Sequence, residues 1–255
     1  MSSPATYRPI GMTYAPVNGL QLYYETHGSG RPLVLLHGGL LTIDLSFGSV
    51  LKPLAASRQL IAVELQGHGH TADTDRPMSI EALAGDVIAL LDHLGIADAD
   101  FYGFSLGGLV ACAVALAAPA RVGQLIIASA DAHRPPGRES PPLGEDRLPT
   151  QADFQDMQDA YHAVAPDPAR FFELQAKTSA AVHAFPGWTD ELRSLQAPTL
   201  LLFGDRDFMP LPDVVEMFQL LPNAQLAVLP GATHMDVSRR ADEVLALITP
   251  FLDAR

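Results

Sequence analysis

Ser105 stands between Gly103 and Gly107 in the stretch Asp100-Phe101-Tyr102-Gly103-Phe104-Ser105-Leu106-Gly107-Gly108, and the apolar run 109–118 follows directly. The stretch predicts a short buried strand, a very tight turn with the serine at its apex, and a buried helix. A serine held in a strained backbone conformation needs neighbours without side chains, because strand and helix pass too close there for a Cβ. The helix behind it turns free N–H groups and the positive end of its dipole toward the hydroxyl, which suits negative charge developing nearby. G-x-S-x-G is the signature of a nucleophile elbow. Alone, it also fits a plain glycine-rich turn between strand and helix.

A serine hydroxyl is a poor nucleophile near neutral pH until a base removes its proton, and histidine titrates in the right range. A carboxylate behind the histidine would fix its tautomer and stabilise the imidazolium. The chain offers a histidine in Gly231-Ala232-Thr233-His234 and carboxylates in Gly204-Asp205-Arg206-Asp207, with Asp131 as a further acid. His37-Gly38-Gly39 adds a glycine loop at a strand end. A different chemistry is hinted at by Gly67-His68-Gly69-His70, since His-x-His is half of a metallohydrolase signature. A dinuclear zinc motif would continue x-Asp-His, but Ala72 and Asp73 occupy those last two places, and the other histidines have no ligand spacing.

These groups need a frame that gathers them. Asn18-Gly19 between the strand-like runs 13–17 and 20–25 predicts a hairpin, because both residues accept positive φ. Apolar runs at 33–36, 60–63, 124–129, 199–203 and 225–229 predict strands, the first continuous enough to be covered on both faces. Helices are predicted at 46–57, after the N-cap Ser79 up to Gly95, at 214–221 and at the C-terminus. Strands alternating with helices imply a parallel sheet with helices on both faces, entered by an antiparallel hairpin. Ligands on such sheets bind beyond the carboxyl ends of the strands, where His37, Ser105, Asp207 and His234 all fall.

With that order of glycine loop, serine, acid and histidine, the chain resembles an α/β-hydrolase from the hairpin to the terminal helix. The resemblance implies the α/β-hydrolase fold, a mostly parallel twisted sheet with helices on both faces and a helical cap insertion. It implies a core domain of residues 1–130 and 196–255 and a helical cap at 131–195. It implies a Ser105–His234–Asp207 triad, with Asp205 stabilising the turn and Asp131 a lesser alternative for the acid. The oxyanion would be held by the N–H groups of Gly39 and Leu106, and His37 would shape the glycine loop. Phe104, Trp188 and Phe208 are pocket candidates, with Phe154, Met157 and other cap aromatics as further possible lining. Relatives usually carry an Asp and an Arg ahead of the Gly-His-Gly loop. Glu64 and Gln66 stand there instead, a departure expected to touch the mouth of the site and leave the triad alone.

The expected activity is that of a carboxylesterase on small or medium esters. Lactonase, perhydrolase and carbon–carbon bond hydrolase chemistry would use the same triad. A serine at the elbow argues against the dehalogenase and epoxide-hydrolase branches, which use an aspartate there. A metallohydrolase and a non-catalytic binding protein are the rivals from other classes. No metal or organic cofactor is implied.

Bulk properties narrow the partners. The chain has 255 residues, 48% of them hydrophobic and 18% charged, enough for a sizeable core. A formal charge of −13 argues against a nucleic-acid partner, which demands clustered Lys and Arg. Cys112 has no second cysteine to pair with and falls in the apolar helix, where a small buried side chain is expected. Residues 1–12 lack the apolar core of a signal peptide, and the run 109–118 is far short of the roughly 18 residues needed to span a bilayer. A soluble, cytoplasmic protein without a membrane partner is the expectation, acting on a small-molecule ester or lactone.

Overall fold

Asn18 and Gly19 have φ of 49° and 83°, the positive values that a two-residue hairpin turn demands. They join β1 (Gly11–Val17) to β2 (Leu20–His27) in antiparallel register. The computed structural model describes residues 11–134 and 144–254. After the hairpin come β3 (Arg31–Leu36), α1 (Ile43–Leu54), β4 (Arg58–Val63), α2 (Ile80–His93), β5 (Ala99–Phe104), α3 (Leu106–Ala117) and β6 (Val122–Ala128). Three helices follow, α4 (Gln151–Val164), α5 (Phe171–Ala184) and α6 (Asp190–Ser194). The chain then returns to the sheet with β7 (Thr199–Gly204), α7 (Leu211–Leu220), β8 (Ala224–Leu229), α8 (His234–Arg239) and α9 (Ala241–Asp253).

The eight strands form one sheet in the order β1-β2-β4-β3-β5-β6-β7-β8. β2 is antiparallel to both its neighbours, and every pair from β4 to β8 is parallel. Leu33, Val34, Leu35 and Leu36 are all fully buried, so both faces of β3 are covered. Helices α2 and α3 pack together, and α1 packs on α8 and α9. These two groups supply the covering layers. Each fully buried leucine contributes roughly 1.5–3 kcal/mol relative to exposure, so the central strands hold the frame firmly.

Local signals set most boundaries. The Ser79 hydroxyl accepts the Ala82 N–H at 3.1 Å and starts α2 as expected, and Gly95 beyond it has φ 66°. Helix α1 begins earlier than the sequence predicted. Thr42 caps it by accepting the Leu45 N–H at 3.3 Å, and both Gly48 and Pro53 are tolerated inside it. The short helix α8 was not expected at all. Among the described residues no helix is long and apolar enough to cross a membrane. The proline-rich patch at 135–142 and the chain start, residues 1–10, lie outside the described residues.

Candidate active site

Ser105 follows β5 with φ 52° and ψ −118°, a conformation that side chains rarely adopt. Its N–H donates to Ala128 O at 2.8 Å, which pins the turn to β6. A Cβ on Gly103 would run into the Gly107 carbonyl, and one on Gly107 into the Leu36 carbonyl of β3. The two glycines are therefore what lets α3 start against the sheet, with the serine at the apex.

The structure brings the serine, the acid and the histidine together. His234 Nε2 lies 3.0 Å from Ser105 Oγ, and His234 Nδ1 lies 2.9 Å from Asp207 Oδ1. A carboxylate only accepts, so Nδ1 carries the proton and donates, leaving the Nε2 lone pair facing the hydroxyl. Asp207 is fully buried and also accepts the Met209 N–H at 3.1 Å. Burial works to raise its carboxyl pKa. The hydrogen bond and charge of His234, with the nearby Ser129 hydroxyl and the Met209 N–H, outweigh it and hold the group below the usual carboxylate range. His234 is the first residue of α8, placed there by a reciprocal cap. Asp236 accepts the Thr233 N–H at 2.9 Å while the Thr233 hydroxyl accepts the Asp236 N–H at 3.4 Å.

The other acids separate cleanly. Asp205 Oδ1 accepts the Gly231 N–H at 2.7 Å, tying the β7 and β8 loops together. Asp131 accepts the His133 N–H at 2.9 Å and faces the cavity beside the serine. Burial, with the charge of Asp213 adding to it, pushes the Asp131 carboxyl up to about 6 against the pull of that N–H bond.

The histidines outside this trio have other partners. The Leu65 N–H donates to His37 Nε2 at 3.0 Å, so Nδ1 holds the proton and donates to Gly38 O at 2.7 Å. The ring shapes the glycine loop, and burial pushes its pKa down to about 3. His68 donates from Nδ1 to Gln66 O at 2.9 Å, and burial pushes it down to about 4. His70 turns away to Glu64 at 2.8 Å, and that bond holds its pKa above the ordinary value. No grouping of three His, Cys, Asp or Glu side chains fit to hold a metal ion occurs among the described residues. Cys112 is buried in α3, and burial pushes its thiol up to about 12.

A cavity of about 210 Å³ opens over Ser105. Gly39, Phe104, Leu106, Phe208 and His234 all line it, so the expected oxyanion-hole pair and two of the pocket aromatics sit around the hydroxyl. Leu40, next to Gly39, has φ 64°, and a Cβ on Gly39 would press on Thr178 of α5. The loop is thus shaped tightly against the helix above it. Phe154 and Met157 of α4 and Val182 of α5 complete much of the apolar wall.

Trp188 is a correction. It is absent from the described lining; its backbone N–H donates to Ala132 O at 2.8 Å and its ring centroid lies 4.5 Å from that of Phe185. The reason is the turn at Gly187, φ 80°, which directs the tryptophan back onto the strand end. Glu64 and Gln66 are likewise away from the mouth. Glu64 accepts the N–H of Ile43 and of His70, and Gln66 binds Asp73 and Arg76, so the departure holds a loop together. Arg134, Thr178 and Val182 were missed as lining; Arg134 is carried there by the chain just beyond β6, and Thr178 and Val182 only by the packing of α5 over the sheet. The i, i+4 spacing of Thr178 and Val182 was the one available signal.

Comparison with known proteins bears on the same frame. The Alpha/beta hydrolase family model matches residues 33–247. The chain is 28% identical to a non-heme haloperoxidase of Rhodococcus erythropolis over 93% of this chain and 97% of that one. It is 27% identical to a pimeloyl-[acyl-carrier protein] methyl ester esterase of Nitrosospira multiformis over 91% and 98% of the two chains. In fold it is similar to the crystal structure of the enol-lactonase from Burkholderia xenovorans LB400, with a TM-score of 0.73 at 23% identity, covering 94% of this chain and 99% of that one.

Proposed function

The chain belongs to the alpha/beta hydrolase family, and from that premise we propose that it is a serine hydrolase cleaving carboxylic esters through an acyl-enzyme on Ser105. The observation that carries this reading is the unbroken hydrogen-bonded line from Ser105 Oγ through His234 to Asp207, at 3.0 and 2.9 Å. His234 Nε2 takes the hydroxyl proton as Oγ attacks the ester carbonyl. The tetrahedral oxyanion is held by the Gly39 and Leu106 N–H groups. His234 then returns the proton to the leaving alcohol, and a water activated by the same nitrogen releases the acid. Each oxyanion donor is worth about 3 kcal/mol of barrier.

Residues 131–195 act in this reading as a cap over a core of 1–130 and 196–255. Its contribution is the apolar wall from Phe154, Met157 and Val182, which excludes water from the acyl group. A lactone is the second reading. A relative named methyl ester esterase and a fold neighbour named enol-lactonase both fit acyl transfer to a serine, and a cavity of about 210 Å³ suits a small ring as well as a short ester. A metal-dependent reaction at His68 and His70 is disfavoured by their opposed partners, Gln66 O and Glu64.

Labelling with a fluorophosphonate tests the proposal. One equivalent attached to Ser105, with hydrolysis of p-nitrophenyl esters lost in step, is expected. A protein that stays unlabelled while folded would be a binding protein on this fold.

A further inference from the structure

Resting on the acyl-transfer reading, we propose that Arg134 recognises a carboxylate at the far end of the substrate, so that half-esters of short dicarboxylic acids are the preferred class. The cavity over Ser105 continues into an outer cleft of about 460 Å³. Gly39, Leu40, Arg134, Phe154, Thr178 and Val182 line both spaces, so Arg134 stands where they meet. A substrate with its ester carbonyl at Ser105 extends past this residue.

The charge pattern at that junction is specific. Gln175, Ser179 and His183 add polar groups to the outer cleft, and among the described residues no Asp or Glu lines it. Asp131, the nearest opposing charge, lines the inner cavity and not the outer cleft. Arg134 feels the charge of Asp131 from the inner-cavity side, but on a chain with a formal charge of −13 it is the one Arg or Lys among the outer cleft's described lining residues. The guanidinium is also pre-positioned. Nη1 donates to Val182 O at 2.7 Å and Phe185 O at 3.2 Å, and the Phe185 ring lies 5.2 Å from its central carbon. Nε and Nη2 have no partner among the described residues. Half of the fork is anchored at the end of α5, and the other half remains to meet an anion with the geometry that carboxylates favour.

The rival explanation is that Arg134 merely secures the end of α5, and a matched pair of substrates separates the two. Initial rates would be measured on monomethyl glutarate and on its neutral twin dimethyl glutarate, at low and high salt. The wild type is expected to favour the half-ester in kcat/KM by about ten- to a hundredfold. That preference should shrink as salt is raised. Arg134→Gln should bring the ratio of the two substrates close to one. So should Ser179→Glu, which places a carboxylate in the outer cleft while leaving the bonds to Val182 and Phe185 intact. A ratio near one in the wild type, or a preference that survives both variants, overturns the proposal while leaving the ester reading in place. Failure to cleave either glutarate ester while p-nitrophenyl esters are still hydrolysed overturns this proposal alone; loss of that hydrolysis and of fluorophosphonate labelling as well overturns the ester reading with it.

Discussion

The ring of Phe208 stacks on that of His234, with centroids 4.1 Å apart and planes at 29°. Phe104 approaches the same imidazole at 5.1 Å. Phe208 immediately follows the Asp207 loop position, so the residue after Asp207 restrains His234. The two aromatic rings limit swinging of the imidazole and keep Nε2 aimed at the hydroxyl.

Phe208→Leu should therefore lower kcat by up to about tenfold, the value of one good aromatic contact, with KM little changed. Phe208→Tyr should retain most of the rate. Steady-state kinetics on a p-nitrophenyl ester decides it. A change confined to KM would make Phe208 a substrate contact instead.

Asp205 and Asp207 are two residues apart and have different jobs. Asp207→Asn should cut kcat about ten-thousandfold, because an amide that donates to Nδ1 favours the wrong tautomer. Asp205→Ala should instead remove the acceptor for the Gly231 N–H, loosen that junction and lower the melting temperature while turnover persists. Kinetics and thermal melts on the two variants are enough. Equal losses of turnover in both would undo the assignment of the acid.

Much of this site could be read from residue types alone, for reasons that lie in the backbone. Gly103 and Gly107 mark a passage too narrow for a Cβ, and Asn18-Gly19 marks a turn that needs positive φ. Such constraints are local, so they survive in sequence. The placement of His234 at the head of α8 was legible in principle from Thr233-x-x-Asp236, but a six-residue helix leaves almost no periodicity. The crossing of β4 outside β3, the turning away of Trp188 and the arrival of Thr178 over Gly39 are tertiary events. No pattern along the chain encodes them, and for that reason the cavity wall from α4 and α5 is the least legible part of the site.

His37 and His68 are buried as neutral rings, held down to about 3 and about 4. Unfolded, each would titrate near its ordinary value of about 6.5. The unfolded chain thus binds more protons across that interval, and stability present above about pH 6.5 is lost as pH falls toward the folded values. Each pH unit removes up to about 1.4 kcal/mol per histidine. Urea midpoints measured from pH 7 down to pH 4 should fall steeply, and His68→Asn should flatten the slope. An unchanged slope in that variant contradicts the account.

Asp131 has the opposite sign. Its folded pKa, pushed up to about 6, exceeds that of an unfolded aspartate, so ionisation costs stability as pH rises through the interval from about 4 to about 6. Asp131→Asn removes that cost and still accepts the His133 N–H. Calorimetry should show a melting temperature higher by a few degrees at pH 8, with little difference at pH 4. An equal shift at both values would assign the effect to packing.

The central claim is that the hydroxyl at the apex of the elbow does the chemistry. The most direct test is turnover of a p-nitrophenyl ester by Ser105→Ala, in a variant whose melting curve matches the wild type. The account predicts a fall of about a millionfold. A variant that keeps its rate within about tenfold of the wild type would contradict it.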